Sequence, residues 1–297
     1  MGISMPYLMA LDRAGAIPRN GSAILDIGAS NIYGATTDEL IYFLEKYGKA
    51  PVDARLRAKA ADLSERSDPT HPRALTFVHE LLEETTIHYQ AIDVFPGPRT
   101  RIFDLNFESL PRSMVGRFDL VLNFGTTEHV FGQFNAFKVI HDALKPGGHA
   151  FHQLPSTGFF NHGYFKYHPK LFGELAAANG YEIVDLYYSE PQGHATVAAA
   201  CTPPPNLTNP THFRTTVAAL GAEAPTQPNG LINALLRKGK AGRFRAPLET
   251  LSTLGPVAPR IARGYAGPAG LVSPVRLARR VLKGLGVGRA LRAMGLR

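Results

Sequence analysis

The sequence predicts an α/β fold: a doubly wound, mostly parallel seven-stranded sheet with an antiparallel last strand, followed by a basic C-terminal extension. Three observations predict it. Short apolar runs alternate with helical patterns through about the first two hundred residues, the order that builds a parallel sheet through helical crossovers. The last two expected strands, 181–188 and 194–201, are separated only by 189–193, too short a link for a parallel return, so they must pair antiparallel. After Cys201 the character changes: Pro203, Pro204 and Pro205 open a Pro-, Thr- and Asn-rich stretch, and basic, Gly-punctuated segments follow.

Taken in order, Ala23-Ile24-Leu25-Asp26-Ile27 is a short apolar run ending at Gly28 and reads as a buried parallel strand. Thr36 and Glu39 have capping-box spacing. Leu40, Phe43, Leu44 and Tyr47 follow on one helical face, with Gly48 as the stop. Further helices are expected over 53–66 and 73–84, on either side of Pro69 and Pro72, before a second strand at 87–94. This crossover is longer than a minimal βαβ unit, so a helical insertion is assigned to about 35–86. Strands three and four are 101–103 and 118–123. Val130, Phe134, Phe137 and Ile140 mark the next helix, and Lys145-Pro146-Gly147-Gly148 makes a tight turn before strand five at 149–154. A helix over 169–179 stops at Gly180. The organisation expected is a domain over 1–201, a Pro-rich connector over 202–229 and an extension over 230–297.

Composition narrows the function classes. With 297 residues, 44% of them hydrophobic, the chain has ample material for one complete core. Cys201 is the only cysteine, which rules out an intrachain disulfide and fits a reducing compartment. No Cys/His spacing suggests a structural zinc site, and no metal is expected. The N-terminus lacks a secretory pattern and no run reaches the ~18 apolar residues of a membrane span, so a cytoplasmic protein is expected. The net charge of +8 is segregated: from Arg237 onward, 14 Lys and Arg face one acid, Glu249, leaving −5 on the first 236 residues. Any attraction to a polyanion therefore belongs to the tail.

In a parallel sheet, ligands bind beyond the carboxyl ends of the strands. Strand one leaves through Asp26-Ile27-Gly28-Ala29-Ser30-Asn31-Ile32-Tyr33-Gly34, where Gly28 permits close backbone approach. Strand two ends at Asp93, a carboxylate able to accept from a ribose diol, with Val94 and Phe95 able to pack on a purine face. After strand three, Asp104 can accept from an exocyclic amine while Leu105 covers the ring. Strand four ends at Asn123-Phe124-Gly125.

These residues resemble the class I S-adenosylmethionine-dependent methyltransferase family, in its broad small-molecule, type 11-like branch, over about 17–201. DIGASNIYG is similar to its motif I, Asp93 to its ribose-binding acid and Asp104-Leu105 to its adenine motif. FDLVLNFGTTEHV resembles its fourth strand, LKPGG its turn before strand five, and the closing 181–201 hairpin its reversed seventh strand. The resemblance implies a Rossmann-like sheet, S-adenosyl-L-methionine as cofactor, and contacts to it from Asp26, Gly28, Ala29, Ser30, Asn31, Asp93, Val94, Asp104, Leu105, Asn123, Phe124 and Gly125. The sequence departs from the family in motif I: Ser30 and Ile32 stand where glycines are usual, with Gly34 two residues late. Methyl transfer to an O or N atom of a small-molecule, glycan or lipid-linked acceptor is the implied activity. A nicotinamide-dependent oxidoreductase on a similar sheet and a catalytically inactive binding protein are the alternatives. The first lacks its second and third glycines here; the second follows from the altered motif I.

His129, within a turn of strand four, is either a base for the acceptor proton or a helix-start cap. His162 is the second candidate base. It lies in Phe159-Phe160-Asn161-His162-Gly163-Tyr164-Phe165-Lys166-Tyr167-His168, where Asn161, Tyr164 and Tyr167 either line an acceptor pocket or form a hydrophobic plug. His152 and Gln153 are expected to be buried and paired. The tail places Arg276, Arg279, Arg280 and Lys283 among Val275, Leu277, Val281 and Leu282. This pattern suits peripheral contact with an anionic membrane at its inner face, phosphate contacts without sequence-specific nucleic-acid reading, or a solvated tail.

Overall fold

The computed structural model describes residues 2–18, 21–68, 70, 76–159, 162–189, 229–240, 242–248 and 260–261. β1 (Gly2–Ser4) and α1 (Met5–Arg13) come first, then β2 (Ala23–Ile27), β3 (Asn31–Tyr33), α2 (Thr37–Tyr47), α3 (Ala54–Ser67) and α4 (Val78–Leu82). β4 (His88–Asp93), β5 (Thr100–Ile102) and β6 (Phe118–Phe124) follow, then a 3-10 turn (Thr127–His129), α5 (Gln133–Ala143) and β7 (Leu144–Thr157). α6 (Pro169–Asn179), β8 (Tyr181–Ser189) and β9 (Gly230–Lys238) complete the order.

Among the described residues the main sheet has seven strands in the order β5-β4-β2-β6-β7-β9-β8. β2, β4, β5, β6 and β7 are parallel, and β9 runs antiparallel between β7 and β8. Side-chain alternation divides the sheet between two cores. Leu25, Ile27 and Val121 pack with Phe137, Ile140, Phe172 and Leu175 from α5 and α6. Ile24, Leu120 and Leu122 pack with Leu8, Leu40, Phe43, Leu63 and Leu81 from α1 to α4. Each such side chain contributes about 1.5–3 kcal/mol by leaving water, and the doubly wound architecture follows from both faces being covered.

Local chemistry starts and stops the helices as expected. Thr36 accepts from the Glu39 amide while Glu39 accepts from the Thr36 amide, a complete capping box. Gly180 ends α6 in the left-handed region, at φ +67°. The expected turn at Lys145–Gly148 is a bulge within β7: Phe118 faces Leu144 and Leu120 faces His149, so the residues between them on β7 loop outward.

Two expectations are corrected. The expected seventh strand, 194–201, lies outside the described residues, and the antiparallel position belongs to β9, assigned from sequence to the extension. Leu231, Ile232, Ala234, Leu235 and Leu236 form an apolar run broken only by Asn233, which is buried and paired with Gln153 and Ser189, as a strand covered on both faces requires. The domain consequently ends later than 201: one compact unit spans Met1–Arg245, and a second spans Ala246–Arg297. Inside the first unit, Asn179 and Arg245 exchange hydrogen bonds and Phe244 is buried. The basic segment over 273–297 lies outside the described residues. No helix among the described residues is long and apolar enough to cross a membrane.

Candidate functional site

The carboxyl ends of the parallel strands are tied into one edge by hydrogen bonds between their loops. Gly28, at φ +92°, donates its amide to Ile92 O at 2.8 Å, and the Ala29 amide donates to Asp93 Oδ2 at 3.1 Å. Phe103 donates to Asp93 O at 2.8 Å, which sets Asp104 beside the same edge. The Thr126 hydroxyl donates to Ile27 O, and the Gly125 amide to Gln153 O at 3.0 Å. Gly28, Asp93, Asp104 and Gly125 thus lie along a single rim, although 97 positions separate the first from the last.

The sequence-predicted residues divide into an accessible rim and a buried support. Ala29, Asn31, Asp93, Asp104 and Gly125 are partly exposed. Val94 is 56% exposed and Phe95 73%, two apolar side chains beside the Asp93 carboxylate with no core to fill. Asp26, Ser30, Leu105, Asn123 and Phe124 are buried, so they hold the rim from below. Leu105 is packed in the core rather than standing free to cover a ring.

Asp26 organises the first loop. Its carboxylate accepts from the Ser30 amide, the Ser30 hydroxyl and the Tyr89 hydroxyl. Complete burial nevertheless pushes its pKa up to about 7, against these bonds. The same burial, with Asp26 beside it, raises Tyr89 well above the ordinary phenol range. Ser30, which replaces a glycine of the expected motif, is held by this network. Ile32 packs down, 1% exposed, and Gly34 takes φ +59°. The chain then runs as β3 against β1 rather than opening a helix. Under the central strand end, Asn123 donates to Thr127 Oγ1 and His152 Nδ1. This bond assigns the His152 proton to Nε2, and burial drives its pKa down to about 3. His152 and Gln153 are therefore buried or part-buried and paired, Gln153 donating to Asn233.

The loops after β6 and β7 meet over Glu128. Its main-chain oxygen accepts from Tyr164 and Phe165, at 2.7 and 3.2 Å. Gly163, at φ +65°, allows this approach: a Cβ there would stand 2.9 Å from Glu128 Cγ. The Glu128 side chain is fully buried and burial pushes its pKa up to about 7. His162 Nε2 lies 3.4 Å and His129 Nε2 4.0 Å from Glu128 Oε1. Burial first, then neighbouring His162, lowers the His129 pKa. Sequence reasoning selected both histidines but passed over Glu128, Tyr89 and Thr126. The Glu128-His129 dipeptide was the available clue to the first; the other two act through contacts distant in sequence.

The acceptor-side expectations are divided. Tyr164 is 74% exposed and packs edge-on to Phe131, itself 78% exposed. Tyr167 is a correction: it is 4% exposed, embedded in the core, and its hydroxyl donates to Gln133, so it offers almost no surface to a ligand. Asn161 lies outside the described residues. Two surface clefts of about 490 and 470 Å³ lie at the opposite, amino ends of the strands, beside Asp119 and His149 and beside His88 and Tyr89.

No family model matches the chain, and no curated protein matches it. Among solved structures it is similar to the 1,6-didemethyltoxoflavin N1-methyltransferase of Burkholderia thailandensis, at 14% identity over 79% of this chain and 77% of that one, with a TM-score of 0.37. It is similar to phosphoethanolamine N-methyltransferase 2 of Haemonchus contortus at 13% identity and a TM-score of 0.39, covering 78% of this chain and 52% of that one. It thus spans about half the length of the Haemonchus protein. The cyclase SpnF is similar at 15% identity and a TM-score of 0.39, over 80% of this chain and 81% of its own.

Proposed function

We propose that this chain transfers the methyl group of S-adenosylmethionine to an O or N atom of a small-molecule, glycan or lipid-linked acceptor. The observation that carries this reading is the gathering of Gly28, Asp93, Asp104 and Gly125 on one rim at the carboxyl edge of the sheet. The residues present suit the cofactor. Asn31 Oδ1 is buried with no hydrogen-bond partner among the described residues, an acceptor suited to an ammonium at the amino-acid end. Asp93 presents a partly exposed carboxylate for ribose hydroxyls, with Val94 and Phe95 uncovered beside it for the base.

Bound there, the cofactor supplies an electrophilic methyl on a sulfonium. The chain's own part is alignment of the acceptor in line with that methyl, which is the main lever of such a displacement, and removal of the acceptor proton. Phe131 and Tyr164 form an aromatic wall for the acceptor, and His129 and His162 are the imidazoles beside it. A dinucleotide would instead want a helix N-terminus directly after the glycine loop. Here β3 follows that loop, and the next helix start is closed by its own Thr36–Glu39 box.

Calorimetric titration with S-adenosylhomocysteine tests the reading. Saturable binding is expected, at least tenfold weaker in Asp93→Ala and weakened in Phe95→Ala, whose exposed side chain is dispensable for folding. Absence of binding at millimolar ligand would overturn the reading, and tight NAD binding in its place would favour the oxidoreductase.

A further inference from the structure

We infer that Glu128, His129 and His162 form a binding site for a divalent transition-metal cation. Their ligand atoms all lie within 4.8 Å of one another. Ligands sharing a tetrahedral zinc-sized ion stand about 3.3 Å apart, given metal–nitrogen bonds of about 2.0–2.1 Å. The His162–Glu128 separation of 3.4 Å already meets that spacing, and the His129–Glu128 separation of 4.0 Å lies within about 1 Å of it. The imidazole rings meet edge to face at 4.8 Å between centroids, and both Nε2 atoms stand within 4.0 Å of Glu128 Oε1.

A second observation points to a ligand. Glu128 is 0% exposed, and its Oε2 has no hydrogen-bond partner among the described residues. A buried carboxylate oxygen left unpaired is costly, and a cation held between it and two imidazoles removes that cost. Gly163 is needed for the same reason: only without a Cβ does the His162 segment come down onto Glu128. Two imidazoles and one carboxylate suit zinc, iron, cobalt or nickel better than magnesium or calcium, which prefer all-oxygen sites.

Both histidines are exposed and Glu128 closes the site from below, so the remaining coordination positions face outward. An oxygen donor of an incoming molecule fits them. Because this mouth adjoins the rim through Gly125 and Thr126, the acceptor is inferred to bind the cation through a hydroxyl or carboxyl oxygen. That use rests on the methyl-transfer reading; the cation site does not.

Cobalt(II) titrated into the full chain, followed by calorimetry and visible absorption, is the test. One equivalent is expected to bind with the absorption of a low-coordinate site. The dissociation constant should rise at least tenfold in His129→Ala and in His162→Ala, two exposed positions where the melting temperature should hold. Lack of stoichiometric uptake, or uptake unchanged in the double histidine variant, would overturn the site. Titrating S-adenosylhomocysteine into the same preparations separates the two claims. Cobalt uptake without nucleoside binding keeps the site and removes the methyl-transfer reading. Nucleoside binding without cobalt uptake does the reverse and returns both imidazoles to proton transfer.

Discussion

Two buried titratable side chains under the rim pull stability in opposite directions with pH. The Asp26 carboxyl is raised to about 7 from 3.8, so its contribution is full below pH 3.8 and is lost as pH climbs through 7. The His152 imidazole is lowered to about 3 from 6.5, so its contribution is full above pH 6.5 and is lost as pH falls towards 3. Between these ordinary values each group changes stability by about 1.4 kcal/mol per pH unit, with opposite sign. Glu128, likewise raised to about 7 by burial, adds a slope of the same sign as Asp26 above pH 4.5, so each variant is compared with the native chain. Between pH 4.5 and 6.5 the urea midpoint relative to the native chain should rise with pH in Asp26→Asn and fall with pH in His152→Gln; differences that do not change with pH would refute the assignment. The residues on which this depends were singled out from sequence by position, Asp26 at a strand end and His152 within a strand. Their titration was not legible there, because it is set above all by burial, which elements distant in sequence supply.

Among the elements, β9 is the one whose sequence carried a readable pattern that a competing argument overrode. Its apolar run is plain, but the short 189–193 link made 194–201 the nearer candidate for a hairpin. What anchors β9 is a contact no pattern reports. Lys238 is 5% exposed and donates its ammonium to His141 O at 2.6 Å and Leu144 O at 2.9 Å. These are carbonyls at the end of α5, where a cation also suits the helix dipole. Lys238→Met keeps the apolar stem but strips two buried carbonyls of their donor. A loss of about 1–3 kcal/mol is expected in chemical denaturation, against about 1 kcal/mol for Thr36→Ala at the exposed capping box of α2. Equal losses would mean that the buried ammonium does no more than a surface cap.

At the scale of the whole molecule, the sheet order decides where the chain can be cut. A chain ending after Arg245 retains all seven strands and the Asn179–Arg245 exchange and is expected to fold cooperatively. One ending after Cys201 lacks β9, which leaves β7 and β8 without the strand between them and two apolar edges open to aggregation. Expression and gel filtration of the two truncations check this, and a folded, monomeric 1–201 chain would refute it. The sequence by itself determined the alternation of strands and helices, the edge on which Gly28, Asp93 and Asp104 stand, and the capped start of α2. All of these follow from periodicity and turn chemistry within a few residues. Tertiary structure alone decided that β9 is the reversed strand, that the chain leaves the first loop as β3, that Tyr167 is buried, and that Glu128 meets His162 across 34 positions. The reason is that local pattern records which face of a segment leaves water, whereas partners far apart along the chain are chosen by packing and leave no trace in either segment.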